Sequence, residues 1–167
     1  MNPNFSELVS QYRNRGALID TNLFLVLVVG NVDPRLIGTT ARTDGYSAAD
    51  YERLRDVLVH FNRFVILPQI LTEAGNLLKR NCPTANTLLD LTLELARFVH
   101  AGETREARVA SKRVTLHPTF LQLGYADAAI LTAAAGKYLL VTADGPLQGM
   151  AWSAGVDVLP FQWLQHR

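Results

Sequence analysis

The chain has 167 residues, of which 49% are apolar and 19% charged, and its formal net charge is +1. A chain of this size and composition can bury a proper core as one domain, and its apolar content excludes a disordered protein. The near-neutral charge gives no overall indication of nucleic-acid binding, although a local basic patch is compatible with it. Cys82 is the only cysteine, which excludes an intrachain disulfide bond and a cysteine-based zinc site.

Neither a membrane span nor a signal peptide is predicted. The longest apolar run covers residues 23–29, far short of the about 20 residues that a membrane-spanning helix needs. Residues 1–16 lack the apolar core of a signal peptide. We therefore expect a cytoplasmic protein that is not associated with a membrane.

Hydrophobic periodicity and turn residues predict helices that alternate with strands along a single domain of residues 1–167. In chain order the predicted elements are helix 5–13, strand 17–19, helix 22–29, helix 47 to about 61, strand 64–67, a helix from 68, helix 83 to about 100, a short polar helix 103–112, helix 125–135, strand 138–142 and strand 156–159. Residues 1–15 are an N-terminal helical extension, and residues 30–47 are a loop-rich insert. This alternation predicts an α/β fold, a three-layer α/β/α sandwich with a mostly parallel central sheet.

Short polar and turn residues mark several helix ends. Gly30 and Gly136 are expected to end the helices that precede them. Ser47 and Asp50 have the spacing of a capping box, which predicts the start of a helix. Pro68 suits the first turn of the helix that follows the second strand.

Two aspartates stand where buried strands are predicted to end. Asp20 follows the apolar residues 17–19, and Asp144 follows the strand over 138–142 and precedes a Gly-Pro turn signal. Each aspartate alone is compatible with an ordinary turn residue. Because parallel strands have their carboxyl ends at one edge of the sheet, where α/β proteins bind ligands, the two carboxylates can also converge into a site.

Two further acids stand alone in apolar helices. Glu73 lies in the helix after the second strand, and Asp127 lies in the first turn of the helix over 125–135. A favourable interaction with the helix dipole is the alternative interpretation for Asp127, and a solvated outer face is the alternative for Glu73. Four isolated acids in four apolar settings favour a shared site.

The order of these acidic motifs resembles a PIN domain. The motifs are D-T-N at 20–22, T-E at 72–73, A-D-A-A-I at 126–130 and V-T-A-D at 141–144, and the resemblance extends over about residues 16–163. It implies a PIN-like form of the predicted three-layer sandwich. PIN domains are metal-dependent nucleases, and many bacterial members are VapC-like ribonuclease toxins.

The resemblance implies an endoribonuclease that depends on Mg²⁺ or Mn²⁺ and hydrolyses RNA phosphodiester bonds. The catalytic and metal-binding residues that it implies are Asp20, Glu73, Asp127 and Asp144, and the supporting polar residues are Asn22 and Thr142. A toxin would also have an antitoxin protein as its partner. The residues before the first strand and the insert over 30–47 depart from the compact toxin pattern.

The chemistry of four neighbouring carboxylates agrees with a divalent cation. Ionised carboxylates within a few ångström repel one another and raise each other's pKa values, and a hard cation with oxygen ligands removes this conflict. Asp20 and Asp144 are the expected principal ligands, and Asp127 completes the site directly or through water. Glu73 either binds a second ion or positions the attacking water, and the sequence leaves both one-ion and two-ion sites open.

Two groups of basic residues are candidates for RNA binding. The first group, which precedes Asp127 in the chain, is Arg97, Arg105, Arg108, Lys112 and Arg113, and the last three of these are the expected RNA contacts. The second group, in and after the insert, consists of Arg35, Arg42, Arg53 and Arg55. Either group attracts a phosphate backbone or forms an ordinary solvated surface.

Three functions compete. The first is the metal-dependent endoribonuclease, as a toxin or as an RNA-processing enzyme. The second is a phosphatase of the haloacid dehalogenase type. Such an enzyme needs a second aspartate two residues after the first, and this chain has Asn22 at that position, which argues against this function. The third is a PIN-like module that binds RNA or protein without cutting it. Such a module does not require all four acids, so their presence favours the enzyme. A homodimer is expected in addition.

Overall fold

Five short parallel strands form one sheet at the centre of the protein. The computed structural model describes residues 5–40 and 42–165. The strands are β1 (Ala17–Ile19), β2 (Phe64–Ile66), β3 (Thr104–Glu106), β4 (Leu139–Thr142) and β5 (Val158–Pro160). They lie in the order β3-β2-β1-β4-β5, and every neighbouring pair is parallel. The buried strands β1 and β4 are at the middle of the sheet, with Leu18 opposite Leu140.

Helices connect the strands and cover the sheet. They are α1 (Phe5–Tyr12), α2 (Thr21–Val32), α3 (Ala48–Leu58), α4 (Pro68–Arg80), α5 (Ala85–His100), α6 (Ser111–Thr115), α7 (Phe120–Leu123), α8 (Tyr125–Ala134), α9 (Gly145–Ser153) and α10 (Gln162–Gln165), with a 3₁₀ helix at Pro34–Leu36. Helices α2, α4 and α5 pack together, and α6 and α7 pack on α8. Because crossovers between parallel strands are right-handed, these two groups cover opposite faces. The predicted α/β three-layer sandwich is therefore confirmed.

The most apolar helix, α2, is enclosed by the others. Its residues from Leu23 to Gly30 are all buried, as expected for a helix that is hydrophobic all round. It has 12 residues, and no helix in the described ranges is long and apolar enough to cross a membrane.

The prediction that Gly30 ends this helix is wrong, because α2 continues to Val32. A Cβ atom at Gly30 would lie 2.3 Å from Cδ2 of Tyr51, so the glycine makes room for the tyrosine ring of α3. The first three residues of the predicted insert over 30–47 are therefore helical. The capping box at the other end of the insert is confirmed, since Ser47 N donates to Asp50 Oδ2 over 2.9 Å and Ser47 Oγ accepts from Asp50 N.

The predicted polar helix over 103–112 is also wrong. Residues Thr104–Glu106 form the edge strand β3, and a helix begins only at Ser111. Strand β3 pairs with β2 alone, and the side chains of Arg105 and Glu106 are exposed. An edge strand with solvated side chains lacks the apolar alternation by which strands are found in a sequence.

The Gly-Pro pair after Asp144 begins a helix where the sequence predicted a turn. Asp144 is the N-cap residue of α9, and Pro146 lies in the first turn of that helix. Proline is tolerated there because the first helical N–H groups have no intrahelical partner. Asp144 is thereby held between β4 and α9.

The described part of the N-terminal extension, α1, packs into the core. Leu8 and Tyr12 are buried, and the Tyr12 hydroxyl donates to Asp157 over 2.7 Å. Burial and the neighbouring Asp157 raise the pKa of Tyr12 to about 12. Residues 1–4 of the predicted extension lie outside the described residues.

Candidate active site

The strand order reverses its direction between β1 and β4, the two strands at the middle of the sheet. From β1 the chain proceeds to β2 and β3 on one side, and it then returns to β4 and β5 on the other side. Open α/β sheets bind ligands at such a switch point. Asp20 directly follows β1, and Asp144 comes two residues after the end of β4. Both aspartates therefore lie at the position where this sheet topology favours a site.

Asp20 is held in place by backbone and side-chain donors. It is the N-cap residue of α2, where its Oδ1 accepts a hydrogen bond of 2.8 Å from Leu23 N. Its Oδ2 accepts a hydrogen bond from the Thr142 hydroxyl. Asp20 is only 4% exposed, and this burial raises its pKa to about 6, with a further contribution from the charge of Asp144. The hydrogen bonds from Leu23 and Thr142 oppose the shift.

Thr142 links the two aspartates. Its hydroxyl donates to Asp20 and accepts a hydrogen bond of 3.0 Å from Asp144 N. Asp144 in turn accepts a bond of 2.8 Å from Leu147 N through its Oδ1, while its Oδ2 has no hydrogen bond to the described residues. Asp144 thus caps a helix through one carboxylate oxygen, as an ordinary turn aspartate would. Its other carboxylate oxygen has no hydrogen-bond partner among the described residues.

Asp127 lies in the first turn of α8, within electrostatic range of the other three acids. Burial raises its pKa to about 6, and the charges of Asp144, Glu73 and Asp20 add to the shift in that order. The side chain of Asp127 is half-buried and makes no hydrogen bond within the described residues. The structure therefore brings all four predicted acids into one electrostatically coupled group, which we call the acid cluster.

Glu73 of α4 is oriented by a residue that the sequence did not single out. Its Oε2 accepts a hydrogen bond of 2.7 Å from the hydroxyl of Thr21, the residue after Asp20. The side chain of Asn22, for which the family resemblance implies a supporting role, makes no hydrogen bond within the described ranges. Thr142 does make the supporting contact predicted for it.

The insert contributes a tyrosine to the cluster. Burial and the charges of Asp20 and Asp144 raise the pKa of the Tyr46 hydroxyl well above its usual value. The ring packs against Phe161 with a centroid distance of 6.2 Å, and the hydroxyl has no hydrogen bond among the described residues. No motif or residue spacing around position 46 predicts that Tyr46 lies near the acid cluster, because this proximity depends on the conformation of the insert.

The acid cluster has the donor chemistry of a magnesium or manganese site, but its side chains are spread. Among residues 5–40 and 42–165, no three His, Cys, Asp or Glu side chains are close enough to hold one ion together. The charge of one carboxylate changes the pKa of another over distances longer than a metal–ligand bond. The raised pKa values and the lack of three side chains close enough to hold one ion therefore agree if the carboxylates face one another without touching. Carboxylate oxygens at the carboxyl ends of parallel strands are the donor type that Mg²⁺ and Mn²⁺ prefer.

The pocket beside the first predicted basic group contains none of the four acids. Arg108 pairs with Glu106 over 2.6 Å. Arg108 and Arg113 line a small pocket of about 190 Å³ together with Lys137 and Tyr138, which precede β4 at the end of the strand away from Asp144. Lys112 is exposed on α6. The RNA-binding role of these three residues stays a prediction.

Replacement of Thr142 tests the central hydrogen bonds of the cluster. We expect Thr142→Val to destabilise the metal-free protein by about 1–3 kcal/mol, because it leaves Asp20 and the N–H of Asp144 without this partner. Thr142→Ser keeps the hydroxyl and should retain most of the stability. Urea unfolding of the three proteins measures the difference. Equal unfolding midpoints for the Val and Ser variants would contradict the linking role.

The acid cluster is assembled from four segments that are distant in the sequence. Asp20, Glu73, Asp127 and Asp144 begin or lie within α2, α4, α8 and α9. A comparison of the sequence with protein-family models gives no match, and neither does a comparison with curated proteins. Membership of the PIN family therefore stays a prediction, which rests on the four acidic motifs.

Proposed function

We propose that this protein is a Mg²⁺- or Mn²⁺-dependent endoribonuclease that hydrolyses RNA phosphodiester bonds at the acid cluster. The observation that carries the proposal is the environment of Asp127, which lies in the first turn of α8 and whose pKa is raised by burial and, to a smaller extent, by the charges of the other three acids. Carboxylates gathered at the switch point of a parallel sheet destabilise one another unless a cation or protons neutralise them. Such a strained, ionisable group in a crevice is typical of a functional site.

The donor set favours a hard cation over zinc. Its members are carboxylates, with no histidine or cysteine, and Mg²⁺ and Mn²⁺ prefer such oxygen ligands. Asp20 and Asp144 would hold the ion, with Asp127 as the third carboxylate. When bound, a divalent ion supplies neutralising charge, orients water for in-line attack on a phosphodiester and stabilises the leaving oxygen.

The surrounding residues hold the acids in fixed positions. Thr142 fixes Asp20 relative to Asp144, and Thr21 fixes Glu73 on the neighbouring helix. Glu73 can therefore orient the attacking water from a side different from that of the two strand-end aspartates. The hydroxyl of Tyr46 is available to donate to a non-bridging phosphate oxygen. These contacts support a preorganised site for one phosphate group.

Metal removal tests the proposal. The purified protein should cleave RNA with Mg²⁺ or Mn²⁺ and should lose this activity in EDTA, because the carboxylates then repel both each other and the phosphate. A labelled RNA assay before chelation, after chelation and after metal is restored measures the effect. Undiminished cleavage by repurified protein in EDTA would exclude the proposed mechanism.

A toxin would need protein partners, and we propose a homodimer as the basic unit. Leu89 and Leu93 lie one turn apart on α5 and are 58% and 51% exposed, which favours burial against a second chain. Light scattering at high micromolar concentration should give twice the mass of the chain, and Leu89→Lys with Leu93→Lys should shift it towards the monomer. A monomeric mass for the unaltered protein would remove this part of the proposal. An antitoxin partner is favoured if a small reading frame for one lies beside the gene.

A further inference from the structure

A groove of about 700 Å³ begins beside the acid cluster and extends along α4. Side chains from α4, the insert and the start of α8 form its walls. They include Arg42, Thr72, Glu73, Asn76, Arg80 and Tyr125. Positions 69, 72, 73, 76 and 80 share one face of α4, so Glu73 lies at one place in the groove and Arg80 about 10 Å further along the helix.

Two arginines in this groove have no acidic partner within residues 5–40 and 42–165. The other three members of the second predicted basic group are all paired, Arg35 with Asp33, Arg53 with Asp50 and Arg55 with Glu52. Arg42 and Arg80 are exposed and form no salt bridge within the described residues. A guanidinium that is not neutralised by the protein remains available for a phosphate, which it binds with two parallel hydrogen bonds.

The groove also contains groups that suit an unpaired nucleotide. Tyr125 directly precedes the Ala126-Asp127 pair, and its hydroxyl donates to Ser111 over 2.7 Å, which fixes the ring next to the acid cluster. Aromatic rings of this kind stack on the bases of single strands. Gln69 Oε1, in the same wall, is one of three described side-chain atoms that are buried without a hydrogen-bond partner. Buried polar groups without a partner are uncommon in native proteins, so each one calls for an explanation.

We propose that this groove binds single-stranded RNA on one side of the phosphate that is cut, with Arg42 and Arg80 on the backbone and Tyr125 against a base. This proposal rests on the proposed ribonuclease function in one respect. That function places the phosphate that is cut beside Glu73, and it therefore sets the direction in which the RNA runs along the groove. The proposal gives the insert a role, because Arg42 is the residue that the insert adds to the groove. It also assigns substrate binding to residues other than Arg108, Lys112 and Arg113.

Binding measurements without cleavage test the groove directly. The protein is the Asp144→Asn variant in EDTA, and the probe is an unstructured 12-nucleotide RNA with a fluorescent label, titrated by anisotropy at several salt concentrations. We expect Arg42→Ala and Arg80→Ala each to weaken binding about tenfold, as for a lost charge-assisted hydrogen bond. The slope of log affinity against log salt should fall by about 0.7 for each lost phosphate contact.

Matched variants separate the groove from general charge. Lys79→Ala removes a charge from the last turn of the same helix but outside the groove, and Arg63→Ala removes one before β2. Both should bind as the parent does. Tyr125→Leu should weaken binding at least fivefold while Tyr125→Phe does not. Equal losses for Lys79→Ala and Arg80→Ala, or a larger loss on triple substitution of Arg108, Lys112 and Arg113, would overturn the proposal.

Cleavage of two substrates separates this proposal from the ribonuclease function. In the otherwise unaltered protein, Arg42→Ala with Arg80→Ala should lower kcat/KM at least tenfold for the 12-nucleotide RNA. It should leave cleavage of a dinucleotide, which has only the reacting phosphate, unchanged. Normal cleavage of both substrates would refute the groove alone. Arginine-dependent RNA binding without any cleavage would refute the ribonuclease function and leave the groove in place.

Discussion

Asp144→Asn should reduce RNA cleavage at least 100-fold while the metal-free protein unfolds at the same temperature as wild type or a higher one. Asparagine is as good an N-cap residue as aspartate, so the bond from Leu147 N that begins α9 is kept. The substitution removes one charge that acts on Asp20 and Asp127. It therefore relieves repulsion in the metal-free fold and removes a ligand from the proposed site.

Asp33→Asn is the matched control for this prediction. Asp33 is also a capping aspartate, before Pro34–Leu36, but its carboxylate pairs with Arg35 and lies outside the acid cluster. This variant should cut RNA at the wild-type rate. Melting curves with and without Mg²⁺ complete the test, since Mg²⁺ should stabilise wild type more than Asp144→Asn. A destabilised Asp144→Asn protein that still cuts RNA would make Asp144 a structural cap only.

The metal-free protein should lose stability as the pH rises from about 4 to about 7. The pKa values of Asp20 and Asp127 are about 6 in the folded state and 3.8 without the fold, so between these values the folded state binds more protons. The free energy of unfolding then falls with rising pH. A shift from 3.8 to about 6 corresponds to roughly 3 kcal/mol for one carboxyl group, which is on the order of 6–12 °C in melting temperature.

Mg²⁺ should reverse this loss, and more strongly at pH 7.5 than at pH 5. Metal ligands must be deprotonated, so protons compete with the ion at the lower pH. Asp127→Asn should flatten the pH dependence of the metal-free protein, because it removes one of the two titrating groups and one charge near Asp20. Melting curves in EDTA and in Mg²⁺ at both pH values provide the measurement. A metal-free stability that rises between pH 4 and pH 7 would contradict the coupling.

The centre of the fold and the four acids could be predicted because their signals are local. Apolar runs predicted β1, β2, β4 and β5, and the strand-end positions of Asp20 and Asp144 needed only the rule that parallel strands end at one edge. Glu73 and Asp127 could also be predicted from the local sequence, because each is an isolated acid in an apolar helix. The strand order, in which β4 lies directly beside β1, could not be predicted from the sequence.

Features that depend on tertiary contacts could not be predicted. Gly30 is inside α2 because of Tyr51, a residue 21 positions away whose ring cannot be placed from local pattern. Strand β3 has exposed side chains and exists through its pairing with β2. Tyr46 reaches the acid cluster, and Arg42 lines the groove beside Glu73, because the insert folds over the carboxyl end of the sheet.

Water, and not a group of the RNA itself, should attack the phosphate at the acid cluster. Analysis by mass spectrometry of the product ends, formed in ¹⁸O-labelled water with Mg²⁺, tests it most directly. Hydrolysis predicts linear monophosphate ends that carry one solvent oxygen, formed by wild type and at least 100-fold more slowly by Asp144→Asn. Cyclic 2′,3′-phosphate ends without solvent oxygen, at equal rates for both proteins, would contradict the account.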